Sequence, residues 1–187
     1  MFERVKISIK GFGDFSEEEV VAVVDRLKVV PVGMGDFLIK EGQVNCDFYF
    51  VNSGCFRHYL VLDDGNEQTL NLHIEGDWFV DPKSFLAQKP SDAIIEAIED
   101  SEAYTLSLWD FHELVKLSDG FFRVGHIFER ATQKQDYQNS RLSPEEKYAL
   151  LLASRPEMVL RFPLKYVASY LGMTPETLSR VRRKIIS

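Results

Sequence analysis

Hydrophobic and polar residues change rhythm several times along this chain. Val20, Val23, Val24 and Leu27 recur at three- and four-residue steps behind Ser16 and Glu19, which are spaced as a capping box, so a short helix is expected there. Over residues 29–108 the rhythm becomes short apolar runs broken by turn residues at 33–35, 41–42, 52–54, 63–66, 75–77 and 89–92. That spacing predicts a compact antiparallel sandwich or barrel. Its clearest hairpin is FRHYLVL-DDGN-EQTLNLHI, in which Leu70, Leu72 and Ile74 alternate with Thr69, Asn71 and His73 beyond an Asp-Gly turn. One face of the hairpin is expected in the core and the other in water.

Past Trp109 a short helix (110–116) closes the strand region, and a long one begins at Ser118 or Asp119. Phe121, Val124, Ile127, Phe128 and Ala131 repeat at helical spacing before the pattern turns polar. This stripe either forms a seam with a second copy of the chain or packs on its own strands. Ser143, Pro144 and Glu146 then open a helix that passes Tyr148, Leu151 and Leu152. Pro156 is expected to end it, with Met158 to Leu160 as a short strand or linker.

The last segment, PLKYVASYLGMTPETLSRVRRKI (163–185), reads as two helices joined at Gly172-Met173-Thr174. Glycine suits the left-handed backbone of such a turn, Thr174 can cap the second helix, and Pro175 sits where no amide hydrogen is needed. Small Ala168 lets the helices cross closely, with Leu178 and Val181 facing back onto the first. Glu176, Thr177, Ser179, Arg180, Arg183 and Lys184 remain outside. Glu176 and Arg180, four apart, share one face. The carboxylate can accept from a cytosine amino group, and the guanidinium can fork onto guanine O6 and N7. This is a helix-turn-helix pattern with base-reading chemistry. Thr174, Thr177, Ser179, Arg183 and Lys184 are the expected phosphate contacts.

Charge supports the orientation. The 187 residues carry a net −7, unpromising for a polyanion partner until divided by position. Residues 141–187 hold nine basic and four acidic groups, a net of +5, which leaves −12 for residues 1–140. Phosphate attracts the C-terminal part and repels the rest. The sequence shows neither a bilayer-length apolar run nor the apolar core of a signal peptide, so a cytoplasmic protein with no membrane partner is expected. Cys46 and Cys55 lack C-x-x-C spacing and read as reduced structural thiols. Neither they nor His58, His73, His112 and His126 make a chelating set, so no metal or cofactor is expected; no phosphate-cradling or nucleophile motif suggests an enzyme.

The stretches GDFLIKEGQ (35–43), DFYFVNSGCFRHYL (47–60) and DGNEQTLNLHIEGDWF (64–79) follow the pattern of a cyclic-nucleotide-binding β-roll. With the C-terminal helix pair, the chain resembles the Crp/Fnr family of transcription regulators over nearly its whole length. The resemblance implies an α+β fold: an antiparallel β-roll at 1–117, a dimerisation helix at 118–140, and a helix-turn-helix unit at 141–187. It implies a homodimer on double-stranded DNA, with Phe121, Val124, Ile127, Phe128 and Ala131 on the dimer helix. Two departures bear on the DNA code. Pro175 stands where the family often has an arginine, and the sequence stops at Ser187 without a β-hairpin wing.

Members that bind cyclic AMP hold the ribose with a Gly-Glu pair and the cyclic phosphate with Arg-Ser or Arg-Thr. Here Val80-Asp81 and Ser91-Asp92 occupy those positions. Losing the paired guanidinium costs about 3–5 kcal/mol, and Asp92 adds repulsion, so neither cyclic AMP nor cyclic GMP is expected to bind. Asp81, Lys83, Ser91 and Asp92 either line a redesigned effector pocket for an unknown small molecule or are solvated turn residues. The rival to a DNA reader is a ligand-binding or protein-interaction module whose C-terminal helices no longer touch DNA.

Overall fold

A computed structural model describes residues 2–118, 121, 137 and 140–186. Two four-stranded antiparallel sheets form the roll. One has the order β1 (Lys28–Val32), β8 (Ser101–Ser107), β3 (Asp47–Ser53), β6 (Trp78–Phe79); the other runs β2 (Phe37–Ile39), β7 (Ala93–Ala97), β4 (Cys55–Val61), β5 (Glu67–Ile74). Period-2 alternation sorts their side chains into layers. Tyr49, Val51, Phe56, Phe79, Ile95, Ala97 and Ala103 fill the space between the sheets. Phe48, Phe50, Trp78 and Tyr104 point out of the first sheet, where they are covered by α1 (Glu3–Lys10), α2 (Glu17–Val24) and α4 (Leu108–Leu117) through Val5, Ile9, Val20, Val23 and Leu114. The six-residue α3 (Pro82–Ala87) lies beside them and adds Phe85.

Helix α2 starts as its sequence predicts: Ser16 Oγ accepts from the Glu19 amide at 3.2 Å, and Glu19 Oε2 accepts from the Ser16 amide at 2.9 Å. Helix α1 has no such signal. Its burial rests on Val5 and Ile9, four residues apart and fully enclosed, while Ile7 between them is 71% exposed.

The outer face of the second sheet overturns one expectation. Hairpin β4–β5 has no wet face. Cys55, Leu72 and Ile74 point away from the roll interior and join a core made with α5 (Pro144–Ser154), α6 (Pro156–Arg161), α7 (Leu164–Tyr170) and α8 (Pro175–Ile186). His73, on the opposite side, is also buried, its ring stacked 4.1 Å from Phe79 in the interior. The alternation is real, but both faces are covered: helices from the end of the chain cover Leu72 and Ile74, and the side assigned to water turns His73 into the roll interior. A bulge between His58 and Tyr59 shifts the register, so Tyr59 opposes Thr69 and both fall on the helix-covered side with Arg57.

Residues 158–160 are helical, not a strand or linker. Pro156 does stop α5, at Arg155 (φ −147°), but then occupies the first turn of α6, where its missing N–H costs nothing. Of the proposed dimer stripe, Phe121 is buried in its own chain, 5.9 Å from the Phe15 ring. Val124, Ile127, Phe128 and Ala131 lie outside the described residues. Among the described residues, no helix is long and apolar enough to cross a membrane.

Candidate nucleic-acid interface

Helix α7 ends by a double turn closure. Gly172, at φ +67°, lets its own amide reach Ser169 O (3.0 Å) and the Met173 amide reach Ala168 O (3.0 Å), which satisfies two otherwise orphaned carbonyls. Two residues on, Thr174 Oγ1 accepts from the Thr177 amide at 3.2 Å and starts α8 at Pro175. Ala168 is completely buried, and Leu178 and Val181 are 0% and 4% exposed, so α8 is pinned on α7 by the side chains its spacing indicated.

The opposite side of α8 faces outward. Glu176, Arg180, Arg183 and Lys184 are exposed, with Thr177 and Ser179 partly so. Arg180 Nη2 donates to Thr177 Oγ1 at 3.3 Å, and Arg183 Nε donates to Ser179 O at 3.4 Å. The Glu176 carboxyl lies below its ordinary value because a backbone amide at the helix start, and then Thr174, hydrogen-bond its charged form. A groove of about 320 Å³, lined by Pro144, Glu145, Thr177, Arg180, Val181 and Lys184, runs between α8 and the start of α5. In it Lys184 Nζ donates to Glu145 Oε1 at 3.0 Å, and this bond, with the positive charges of Lys184 and Arg180, holds the Glu145 carboxyl low. Sequence reasoning did not include Glu145 in the site; nothing in its position two residues past the Ser143 cap signals a partner 39 residues away.

The four candidate effector residues divide into two pairs. Lys83 and Asp92 are exposed and form an ion pair with each other. Asp81 and Ser91, each 3% exposed, are internal. Ser91 Oγ is committed to its own strand, accepting from the Ala93 amide at 2.9 Å and donating to Ala93 O at 3.0 Å. Asp81 Oδ2 and Asn45 Nδ2 are buried and have no hydrogen-bond partner among the described residues. Tyr49 of β3 places its hydroxyl 3.4 Å from Asn45 Oδ1, and burial pushes its phenol far above the ordinary value. Of the cysteines, Cys46 is exposed, whereas Cys55 is buried and its thiol is pushed up to about 12, first by burial and then by the Glu99 carboxylate. A thiol in that state is inert.

The class of domain follows from the roll: residues 29–118 match the family model described as cyclic nucleotide-binding domain. Over 158 residues the chain is 27% identical to the nitrogen fixation regulation protein FixK of Rhizobium meliloti, covering 81% of this chain and 72% of that protein. Among solved structures, FixK2 from Bradyrhizobium japonicum superposes with a TM-score of 0.66 at 20% identity, covering 86% of this chain and 84% of that one. The catabolite activator protein of Thermus thermophilus gives 0.59 at 22% identity, covering 96% and 86%. The likeness to these two structures is one of fold.

Proposed function

We propose that the protein is a transcription regulator of the Crp/Fnr type, cytoplasmic and homodimeric, that binds double-stranded DNA through a helix-turn-helix formed by α7 and α8. The observation that carries this reading is the outward face of α8: a capped, pinned helix that presents Glu176 and Arg180 together, with Arg183 and Lys184 in its last turns. Such a helix offers its N-terminal side chains to base edges in the major groove while hydroxyls and lysines hold the backbone. Glu176 and Arg180 read bases; Thr174, Thr177, Ser179, Arg183 and Lys184 contact phosphates. Lys184 exchanges the Glu145 carboxylate for a phosphate oxygen as DNA enters the groove.

The regulator works without cyclic AMP or cyclic GMP. Ser91 spends its hydroxyl on Ala93, Asp92 is tied to Lys83, and no guanidinium stands at either position to clamp a cyclic phosphate. Calorimetric titration with either nucleotide is expected to give no saturable heat up to hundreds of micromolar; micromolar affinity would refute it. Selection of bound sequences from random DNA tests the main reading and is expected to return a two-fold symmetric motif. Arg180→Ala should then relax preference at one base position, a loss of about 1–3 kcal/mol for the preferred sequence. Lys184→Ala should weaken all sequences alike and lower the salt slope by about 1. If wild type shows no salt-dependent retention of any fragment, the C-terminal helices serve a protein partner instead.

A further inference from the structure

Helix α8 packs on α5 and α7, and α6 and α7 are in turn tied to the roll by polar contacts as well as by the shared apolar core. On β4, Arg57 is 2% exposed, and its guanidinium lies between two rings, 4.2 Å from the centroid of Tyr59 in its own strand and 4.0 Å from that of Tyr166 in α7. Its Nε donates to Thr69 Oγ1 (2.9 Å) and its Nη1 to Glu67 Oε2 (2.5 Å) on β5. The Thr69 amide donates to Ser169 Oγ of α7 at 2.9 Å. At the two ends of α6, Arg155 Nη2 donates to Asp77 Oδ2 (2.5 Å), while Arg161 forks onto Glu75 at 2.9 and 3.2 Å and also meets Glu99. Both acids are themselves fixed by backbone: Glu75 accepts from the Gly54 amide and Asp77 from the Ile74 amide.

We propose that this dock, the β4–β5 hairpin with the acidic turns at 75–77 and 99, is the positioning element for DNA reading: it fixes α8 relative to the roll and thereby sets the half-site spacing the dimer accepts. The inference rests on the reading of the protein as a dimeric DNA binder. The chain of contacts is continuous: α8 is locked on α7 at Ala168 and Leu178, α7 on β5 at Ser169 and on β4 at Tyr166, and α6 on the turns through two arginines. Rigid carriers hold two recognition helices at one separation and one rotation. Each added base pair moves a half-site by roughly 3.4 Å and about 35° around the duplex, a mismatch that a fixed pair of helices cannot follow and a loosened pair can. The partners are individually weak, since partly exposed ion pairs contribute about 0–1 kcal/mol each. They can therefore be removed without unfolding the chain.

The test is a triple variant, Glu75→Gln, Asp77→Asn and Tyr166→Leu, in which the amides keep the backbone hydrogen bonds of both turns. Binding is measured to the selected two-fold site and to versions lengthened or shortened by one base pair at the centre. Wild type should lose at least tenfold in affinity on either altered site. The variant should lose less than threefold, with the half-site sequence preference unchanged. A variant that melts cooperatively and keeps the wild-type penalty overturns the proposal. Failure of wild type to bind any two-fold site removes the DNA reading instead. The dock is then judged by the spread of distances between nitroxides at Glu41→Cys and Ala153→Cys in a Cys46→Ser background, measured by pulsed dipolar spectroscopy with unlabelled chain in excess. A narrow distribution that broadens in the triple variant supports the dock, and equal widths reject it.

Discussion

Gly54→Ala should lower stability by about 3–5 kcal/mol. Gly54 turns the chain from β3 to β4 at φ +82°, and a Cβ there would lie 2.7 Å from Ser101 Cα and 2.6 Å from Ser101 Cβ on β8. Ser101 cannot retreat easily: its hydroxyl accepts from the Cys55 amide at 3.1 Å and donates to Glu99 O at 2.7 Å. A left-handed alanine alone costs about 1–2 kcal/mol. Gly65, at φ +80° with nothing within 4 Å of a built Cβ, isolates that part, so Gly65→Ala should cost no more than it. Urea unfolding of the two variants separates backbone preference from collision. Equal midpoints would show that the Ser101 contact carries no penalty.

Leu178→Ala should cost about 2–5 kcal/mol, because the side chain is completely buried between α7 and α8 and the small Ala168 beside it cannot fill the gap. The same loss should be visible far away. Trp78 is packed on the first sheet and Trp109 is exposed on α4, so tryptophan fluorescence reports on the opposite side of the roll. Since Cys55, Leu72 and Ile74 belong to one apolar cluster with Leu178 and Val181, fluorescence and far-ultraviolet circular dichroism should fall together in one transition, shifted as a whole. If the fluorescence midpoint stays at the wild-type value while the helical signal melts earlier, the C-terminal helices unfold separately.

Local signals carried much of this structure. The Ser16-Glu19 box, the Gly172 turn, the Thr174 cap and the inward direction of Leu178 and Val181 depend on neighbours within a few residues, and sequence spacing exposes them. What covers each side of β5 does not depend on neighbours. Leu72 and Ile74 alternate as any half-buried strand does; what covers them comes from α5 to α8, about 70 or more residues later, and periodicity contains no term for that distance. Arg57 illustrates the same limit. On a strand it reads as a solvent-facing cation, yet it is 2% exposed because Tyr166 closes over it. Asp81, Ser91 and Asp92 stand where the family resemblance places the nucleotide contacts, with Lys83 near them in sequence, whereas the structure buries Asp81 and leaves Lys83 outside with Asp92. Helix α1 escaped notice because β-branched residues in VKISIK dilute its helical pattern.

The cluster that joins β5 to α5, α7 and α8 also bears on how such a chain can change over generations. Under the proposed DNA reading, the outer face of α8 is the natural place to acquire a new target, and exposed positions such as Glu176 and Arg180 can drift without disturbing anything beneath them. Tyr166, Ser169, Arg155 and Arg161 have no such freedom. Each answers to a partner in the roll, so a C-terminal helical segment transplanted from another lineage would arrive without the residues that fit Arg57, Thr69, Asp77 and Glu75. The two halves of this protein are expected to diversify as one inherited unit, with novelty confined to the outer face of α8.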